Sequence, residues 1–128
     1  MGFFVGEIDL QVIQGESDSW IVCQDFSYIC NDGEEVIVTK GLRTDLASTP
    51  RIVWNIFPPF GLYIGAAIVH DALYTRQTFD RAKSDGIFLE AMKTEDVSWL
   101  TRQIIYRAVR IFGGFAWHQH AKEKANGG

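Results

Sequence analysis

The sequence predicts an α+β fold, with a small N-terminal antiparallel sheet packed against a C-terminal helical hairpin plus one or two further helices. Residues 1–45 show the two-residue alternation and the β-branched and aromatic content that are typical of strands. Residues 62–121 show apolar side chains three and four positions apart, as on helix faces. We expect one domain over residues 1–128, with a structured loop over residues 46–61 joining the two halves.

The first half contains several segments with the features of strands. Residues 8–12 alternate apolar and polar side chains, the pattern of a half-buried strand. Residues 20–23 and 26–30 are rich in strand formers. The sequence Asn31-Asp32-Gly33 predicts a tight hairpin, because Asp-Gly accepts the positive φ that such turns need. Residues 36–39 would form the return strand.

The structured loop carries strong turn and breaker signals. Residues 43–50 include several side chains that hydrogen-bond their own backbone. A short helix is predicted around residues 51–57, and Pro58-Pro59-Phe60-Gly61 should end it. The loop therefore separates the strands from the helices that follow.

The second half predicts three main helices. The first covers residues 63–75, and the second follows Thr78 as N-cap and runs to about Lys93. Asp96 is the expected N-cap of the third, which should end at Gly113-Gly114. Residues beyond this point predict one more turn before a polar tail.

The third helix is expected to bury an apolar stripe and to leave its arginines, Arg102, Arg107 and Arg110, in solvent. The side chains of this stripe are Val97, Leu100, Ile104, Ala108, Ile111 and Phe112. His118 and His120 would diverge on a helix, so we expect them in a solvent-exposed tail and not as joint metal ligands.

Charge is distributed unevenly along the chain, although the formal net charge is only −4. The first 39 residues hold eight acidic residues and no Lys or Arg, whereas the remainder holds all 12 basic residues against eight acidic ones. Such a polar molecule could self-associate or lay its basic half on phosphate or anionic lipid, unless both halves are simply solvated. Nucleic acid is not an expected partner at this net charge.

We expect no membrane span and no secretion signal. The longest apolar run, Ile64 to Val69, is too short to cross a bilayer. The N-terminus lacks the basic flank and long apolar core of a signal peptide. Cys23 and Cys30 would point to opposite faces of one strand, so free thiols are expected. These features predict synthesis in the cytoplasm of the producing cell.

His70, Asp71 and Asp85 form the leading candidate site. Imidazole exchanges a proton near neutral pH, and the adjacent carboxylate could hold a metal ion. Residues four apart share a helix face, so Tyr74 should lie beside His70, whereas Asp71 points about 100° away. Asp85 on the facing helix could fix the ring's tautomer. The alternative is a structural polar cluster without catalytic function.

Asp45 and Ser48 are the second candidates. Asp45 could supply a metal ligand or a second acid at the exit of the last strand, or it could form an Asx-turn that holds the loop closed. Ser48 would be a nucleophile only if His70 reaches it. No nucleophile-elbow glycines surround Ser48, so the sequence does not favour that role.

A series of motifs over roughly residues 20–117 resembles a family of small uncharacterised proteins from tailed phages and prophages. The motifs are Gly-x-x-Thr-Asp-Leu-Ala-Ser-x-Pro at 41–50, Pro-Pro-Phe-Gly at 58–61, His-Asp-x-Leu-Tyr at 70–74 and Arg-Ala-x-x-Asp-x-Ile-Phe at 81–88. The resemblance implies a phage origin. It implies no particular chemistry.

A second, local pattern is similar to the two-helix core of bacterial-type phospholipase A2; it consists of His70, Asp71, Tyr74, Asp85, Phe88 and Met92. This resemblance implies that His70 is the general base for water, that Asp71 binds calcium and that Asp85 orients the ring. It also implies that Tyr74 hydrogen-bonds nearby. The family's flanking cysteines and glycine-rich calcium loop are missing, and we infer that Asp45 could be an added ligand.

These observations lead to a first hypothesis, a phage-encoded, metal-assisted hydrolase of an ester in a lipid or cell-envelope component. His70, Asp85 and Tyr74 would form the catalytic group, while Asp71 and Asp45 would bind a divalent cation such as Ca²⁺. The alternative is a non-catalytic virion or tail-assembly component that binds other virion proteins or itself. A third hypothesis is an inhibitor of host defence, for which acidic surfaces are useful.

Overall fold

The computed structural model, which describes residues 2–13, 15, 19–46 and 48–125, has the α+β architecture that the sequence predicts. Six strands come first: β1 (Phe3–Val5), β2 (Leu10–Val12), β3 (Trp20–Val22), β4 (Phe26–Ile29), β5 (Glu35–Val38) and β6 (Arg43–Thr44). Five helices follow: α1 (Arg51–Ile56), α2 (Ile64–Arg76), α3 (Arg81–Thr94), α4 (Trp99–Phe112) and α5 (Gly114–Ala125). The short helix predicted in the loop is confirmed as α1.

The described strands form two antiparallel sheets, whereas the sequence predicts one. The first has the order β1-β4-β5 and the second the order β2-β3-β6. Gly6, at φ +92°, lies where the chain leaves β1 for the second sheet. A Cβ at Gly6 would lie 3.2 Å from the carbonyl oxygen of Asp25. The chain therefore passes close to its own backbone at this turn, which a glycine allows.

The predicted hairpin between β4 and β5 is confirmed. Gly33 adopts φ +91°, and the amide of Cys30 donates to the carbonyl of Glu34 at 2.7 Å. The strands pair in a register that places Phe26 opposite Val38. Alternate residues of both strands are buried, so this hairpin presents one face to the helices.

Helix α2 is the central element of the fold. Every residue from 65 to 74 is buried, and the helix contacts α3, α5, β5 and β6. A helix that is enclosed on all sides needs apolar residues all round rather than along one stripe. Its polar residues His70 and Asp71 are consequently held inside the protein, which is what creates the candidate site.

Two predicted N-caps were wrong by two residues. Asp80, and not Thr78, caps α3, since its side chain accepts from the amide of Lys83 at 2.7 Å. Ser98, and not Asp96, caps α4. Asp96 adopts φ +62°, a left-handed conformation that is typical of the residue just beyond the end of a helix, here α3. In both cases the residue predicted as the N-cap lies in the turn before the helix, and the actual cap is the polar residue two positions later.

The predicted orientation of α4 was also wrong. Ile105 and Val109 are the buried residues of this helix, whereas four members of the expected stripe are exposed: Leu100, Ile104, Ile111 and Phe112. Two arginines point inward instead. Arg110 pairs with buried Asp85 at 2.7 Å, and Arg102 donates to the carbonyl of Val97 at 3.1 Å. These polar contacts fix the rotation of α4 and leave its apolar stripe on the surface.

Helix α5 replaces the predicted single turn and polar tail. It covers Gly114–Ala125 and contacts α2. The carbonyl of Trp117 accepts from the side-chain amide of Gln77 at 2.7 Å. Both cysteines are free thiols, as expected. In the part of the chain that the structure describes, no helix has the length and apolar character needed to cross a membrane.

Candidate functional site

Ser48, His70 and Asp85 form a continuous hydrogen-bonded line in the interior. The Nδ1 atom of His70 lies 3.0 Å from the hydroxyl of Ser48. On the other side of the ring, Nε2 lies 2.7 Å from Oδ1 of Asp85. An ionised carboxylate can only accept, so Nε2 carries the proton, and in the neutral ring Nδ1 accepts from Ser48. This is the arrangement of a nucleophile or water site, a base and an orienting acid.

Asp85 is the hub of this cluster. Its Oδ1 also accepts from the hydroxyl of Tyr74 at 2.7 Å, and its Oδ2 accepts from Arg110 at 2.7 Å. Arg81, one turn earlier on α3, lies 3.7 Å from Oδ2. Asp in a helix interior is intrinsically unfavourable, and the hydrogen bonds from His70 and Tyr74 of α2 and from Arg110 of α4 explain its presence.

Electrostatics favour an ionised Asp85. Burial alone would raise the pKa of this carboxyl, but the hydrogen bond and charge of His70, with the bonds from Tyr74 and Arg110, hold the pKa below its usual value. Burial, followed by the hydrogen bond to Asp85, raises the pKa of the Tyr74 phenol. Tyr74 therefore stays protonated and acts as a donor.

The imidazole is enclosed by aromatic rings. It stacks on Phe88 with centroids 4.3 Å apart, and it contacts the ring of Tyr74 at the same distance. Ser48, His70 and Asp85 are each at most 1% exposed. In this conformation the base is therefore held rigidly and is sealed from solvent.

The end of β6 and the loop that follows it make the seal. Thr44 donates its hydroxyl to Oδ2 of Asp71 at 2.6 Å, while Ser48 contacts the neighbouring His70. Between them Leu46 adopts φ +57° with a fully buried side chain. That conformation is strained for a residue with a Cβ. Residues at the end of β6 and in the following loop thus bind both members of the His-Asp pair.

Asp71 faces a different space from His70. It lines a polar cavity of about 300 Å³ whose other lining residues are Ser19, Arg43, Asp45, Thr75, His120 and Glu123. Asp71 is 2% exposed, and its Oδ1 has no hydrogen-bond partner. Burial raises the pKa of Asp71, the nearby charge of Asp45 adds to this, and the Thr44 hydroxyl opposes it. An orphaned carboxylate oxygen of this kind suits a cation or a bound polar ligand.

The cavity offers an incomplete set of metal ligands. Asp71 and Asp45 are the two carboxylates beside β6 and α2, and His120 and Glu123 come from α5. Among the described residues, no three acidic, His or Cys side chains are arranged to hold a metal ion. Mg²⁺ is commonly bound through one or two carboxylates with waters or substrate oxygens, whereas Ca²⁺ takes six to eight oxygens. Asp71 and Asp45 therefore fit a cation that keeps most of its own water.

The structure divides the residues proposed from sequence between two adjoining sites. It brings His70, Asp85 and Tyr74 together, and it places Asp71 with Asp45 at the cavity. Sequence reasoning did not favour Ser48, because no glycine elbow presents it; a strained loop does so instead. It also missed Arg110 and His120. His120 was expected in a solvated tail, yet it lies on α5 and lines the cavity.

These features define a small α+β protein with a buried Ser–His–Asp cluster beside a polar cavity. The chain belongs to the protein family of unknown function DUF1353, which it matches over residues 20–109. The matched region includes Asp45, Ser48, His70, Asp71, Tyr74 and Asp85. No curated protein and no solved structure shows significant similarity to the chain.

Proposed function

We propose that this protein is a hydrolase of ester bonds in which His70 is the general base. The observation that carries the proposal is the fixed imidazole. Asp85 holds Nε2 at 2.7 Å, and Nδ1 points at a hydroxyl 3.0 Å away. A base needs its lone pair within hydrogen-bond distance of the proton that it removes, and an orienting acid that supports the charge that then develops.

Water, and not Ser48, is the nucleophile in this proposal. Ser48 lies on the loop that seals His70, so any movement that admits substrate withdraws the Ser48 hydroxyl from Nδ1. Water then takes its place at Nδ1. The strained backbone at Leu46 supports this movement, because strain in the closed position lowers the cost of leaving it.

The reaction is a base-assisted hydrolysis. Nδ1 takes a proton from water while the oxygen attacks the ester carbonyl carbon, and Asp85 stabilises the resulting imidazolium. The carbon–oxygen ester bond then breaks, and the proton passes from Nδ1 to the leaving alkoxide. A divalent cation held by Asp71 and Asp45 would supply a Lewis acid for the carbonyl oxygen.

We propose an ester of a lipid or cell-envelope component as the substrate, and a phage or prophage as the source. Both proposals are supported by the sequence resemblances of the His-Asp segment and of the wider motif series. The hydrogen bonds of His70 and Tyr74 to Asp85 agree with the roles that the phospholipase resemblance implies.

The test is hydrolysis of phosphatidylglycerol and of a soluble short-chain ester by wild type, His70→Ala and Ser48→Ala. His70→Ala should lose about 10²–10⁴-fold in rate, the typical contribution of a general base. Ser48→Ala should keep or gain activity, because it removes the group that occupies Nδ1. Chelation of divalent cations should reduce turnover in the wild type.

Thr49→Val is the matched control, because it changes the next side chain on the same loop. The Thr49 hydroxyl is buried without a partner, so this variant should fold and turn over normally. Circular dichroism checks that each variant is folded. Unchanged hydrolysis by His70→Ala would refute the proposal, and loss of activity in Ser48→Ala would make Ser48 the nucleophile.

The second candidate function is a non-catalytic assembly component of a virion or tail. Complete burial of Ser48, His70 and Asp85 favours it, because a closed polar cluster can simply tie the loop to the helices. This reading expects no hydrolysis by the wild type. It also expects lower stability for His70→Ala and a fixed stoichiometry of the protein in purified particles.

A further inference from the structure

Helix α4 exposes a stripe of large apolar side chains to solvent. Leu100, Ile104 and Ile111 lie within about 40° of one another around the helix, and they are 46–71% exposed. Phe115, at the start of α5, is 79% exposed. Contiguous exposed apolar surface on an amphipathic helix marks an interaction site. We call Leu100, Ile104, Ile111, Phe112 and Phe115, with Trp99, the outer face of α4.

The charges of α4 indicate which kind of surface it meets. The helix carries no acidic residue, and Arg107 is its outward arginine, because Arg102 and Arg110 are turned toward the protein. Arg107 is exposed and borders the apolar stripe, about 20° from Leu100 on the side away from Ile104. Its long side chain can place the guanidinium at phosphates while the neighbouring apolar residues enter the acyl boundary.

A second copy of the chain is a poorer occupant of this face. A two-fold contact through α4 would bring together two helices that carry arginines and no acid. Arg107 would then lie in an apolar seam without a carboxylate from the partner's α4, which is unfavourable. A surface of negative phosphates satisfies the same arginine.

We propose that the outer face of α4 docks on the headgroup region of an anionic lipid bilayer, with the helix lying in the plane of the interface. The exposed Arg107 combined with Trp, Phe and Leu side chains follows the pattern of interfacial helices, which carry basic residues beside such apolar ones. Trp99, at 62% exposed, lies at the first turn, where an indole can sit among headgroups. Docking goes beyond the proposed hydrolysis and does not require it.

Co-sedimentation with vesicles tests the proposal. The wild type should bind vesicles that contain phosphatidylglycerol and should bind vesicles of pure phosphatidylcholine much more weakly. The double variant Ile104→Glu/Ile111→Glu should lose binding by about tenfold or more, because it replaces by charges two exposed apolar side chains that docking would bury in the lipid. Arg107→Gln should weaken binding to the anionic vesicles alone, and added salt should do the same.

The matched control is Ile52→Glu/Ile56→Glu, which makes the same change at two exposed isoleucines of α1. This control should keep wild-type binding, and circular dichroism should show that all variants are folded. Equal binding by the α4 variant and the wild type would overturn the proposal. So would a wild-type dimer in light scattering that the α4 variant dissociates, since the face would then bind a second copy.

Vesicle binding and hydrolysis fail independently of each other. If the protein binds anionic vesicles but releases no fatty acid, the docking proposal stands and the proposed hydrolase function is refuted. If the protein hydrolyses the soluble ester but does not bind anionic vesicles, the hydrolase function stands and the docking proposal is refuted.

Discussion

At the scale of single residues, Asp71 and Asp85 are two buried acids in opposite electrostatic states. Asp85 accepts from three donors, which hold its pKa low. Asp71 accepts one bond, at Oδ2, and its Oδ1 is orphaned. Burial is the main reason that the pKa of Asp71 is raised. The two acids should therefore affect stability in opposite directions as the pH changes.

Asp71→Asn should make the protein more stable, and its advantage should grow as the pH rises from about 4, the unfolded pKa of Asp. Above that pH the unfolded chain loses the proton while the folded Asp71 keeps it, so wild-type stability falls until the folded pKa is passed. Asparagine keeps an acceptor for Thr44 and carries no charge. We expect a gain of about 1–3 kcal/mol at neutral pH, measured by urea unfolding.

The control for this experiment is Asp25→Asn, a change at an exposed acid that accepts from the amide of Lys40. Because asparagine keeps an oxygen acceptor for this amide, the change should alter the free energy of unfolding by no more than about 0.5 kcal/mol. A constant difference between Asp71→Asn and the wild type from acid to neutral pH would contradict the prediction.

Sequence was a good guide to residues that are related by helical spacing. Tyr74 lies beside His70 because four residues complete about one turn, and Asp85 reaches the ring from the next helix. Ser48 was not favoured, because its position depends on a loop whose strained backbone no periodicity encodes. Arg110 was assigned to solvent, because the buried charge that draws it inward lies 25 residues away.

At the scale of elements, α2 depends on α3 for its N-terminal cap. Tyr63, the N-cap residue of α2, makes no side-chain capping bond. Glu95, at the end of α3, accepts instead from the amides of Gly65 at 3.2 Å and Ala66 at 2.6 Å. A carboxylate at this place satisfies orphan amides and complements the helix dipole.

Glu95→Ala should lower the free energy of unfolding by about 1 kcal/mol, because two helix-end amides lose their acceptor. Burial raises the pKa of Glu95, and this desolvation offsets part of the gain from the hydrogen bonds. Glu95→Gln keeps one acceptor and should lose less. Glu7→Ala, at an exposed acid, should change stability by no more than about 0.5 kcal/mol. Equal effects of the Glu95 and Glu7 variants in urea unfolding would rule out this cap.

The existence of helices was easier to predict than their rotation. α2, α3 and α4 follow from runs of helix formers and breakers, but the burial of α4 does not follow from its apolar spacing. Periodicity identifies an apolar face whose burial is favourable, and it does not say whether the rest of the protein or another surface covers that face. In α4, the Arg110 to Asp85 pair decided the rotation.

At the scale of the whole molecule, the corner between α4 and α5 is where the helical elements meet. Arg81 of α3 donates to the carbonyls of Val109 and Arg110 at 3.3 and 3.2 Å. A Cβ at Gly113 would lie 2.5 Å from the carbonyl oxygen of Val109 and 2.8 Å from the hydroxyl of Tyr74. The corner thus leaves no room for a side chain, and it borders the Asp85 cluster.

The α+β division was predictable because strand and helix patterns occupy separate halves of the chain. The splitting of the strands into two sheets was not, because it depends on close backbone approaches such as that at Gly6. The same holds for the corner at Gly113. The sequence shows two adjacent glycines there, and only the packing distinguishes them.

Gly113→Ala should lower stability by about 1–3 kcal/mol, the usual cost of overpacking. Since the new methyl group displaces the Tyr74 hydroxyl from Asp85, the same variant should also reduce hydrolysis. Gly114→Ala is the control at the next residue, where a Cβ meets nothing within 4 Å. It should leave stability unchanged or raise it slightly, because alanine favours the helix that begins there. Urea unfolding of the two variants tests the prediction. Similar midpoints would contradict it, because they would show that the corner accommodates a methyl group at residue 113 without loss of stability.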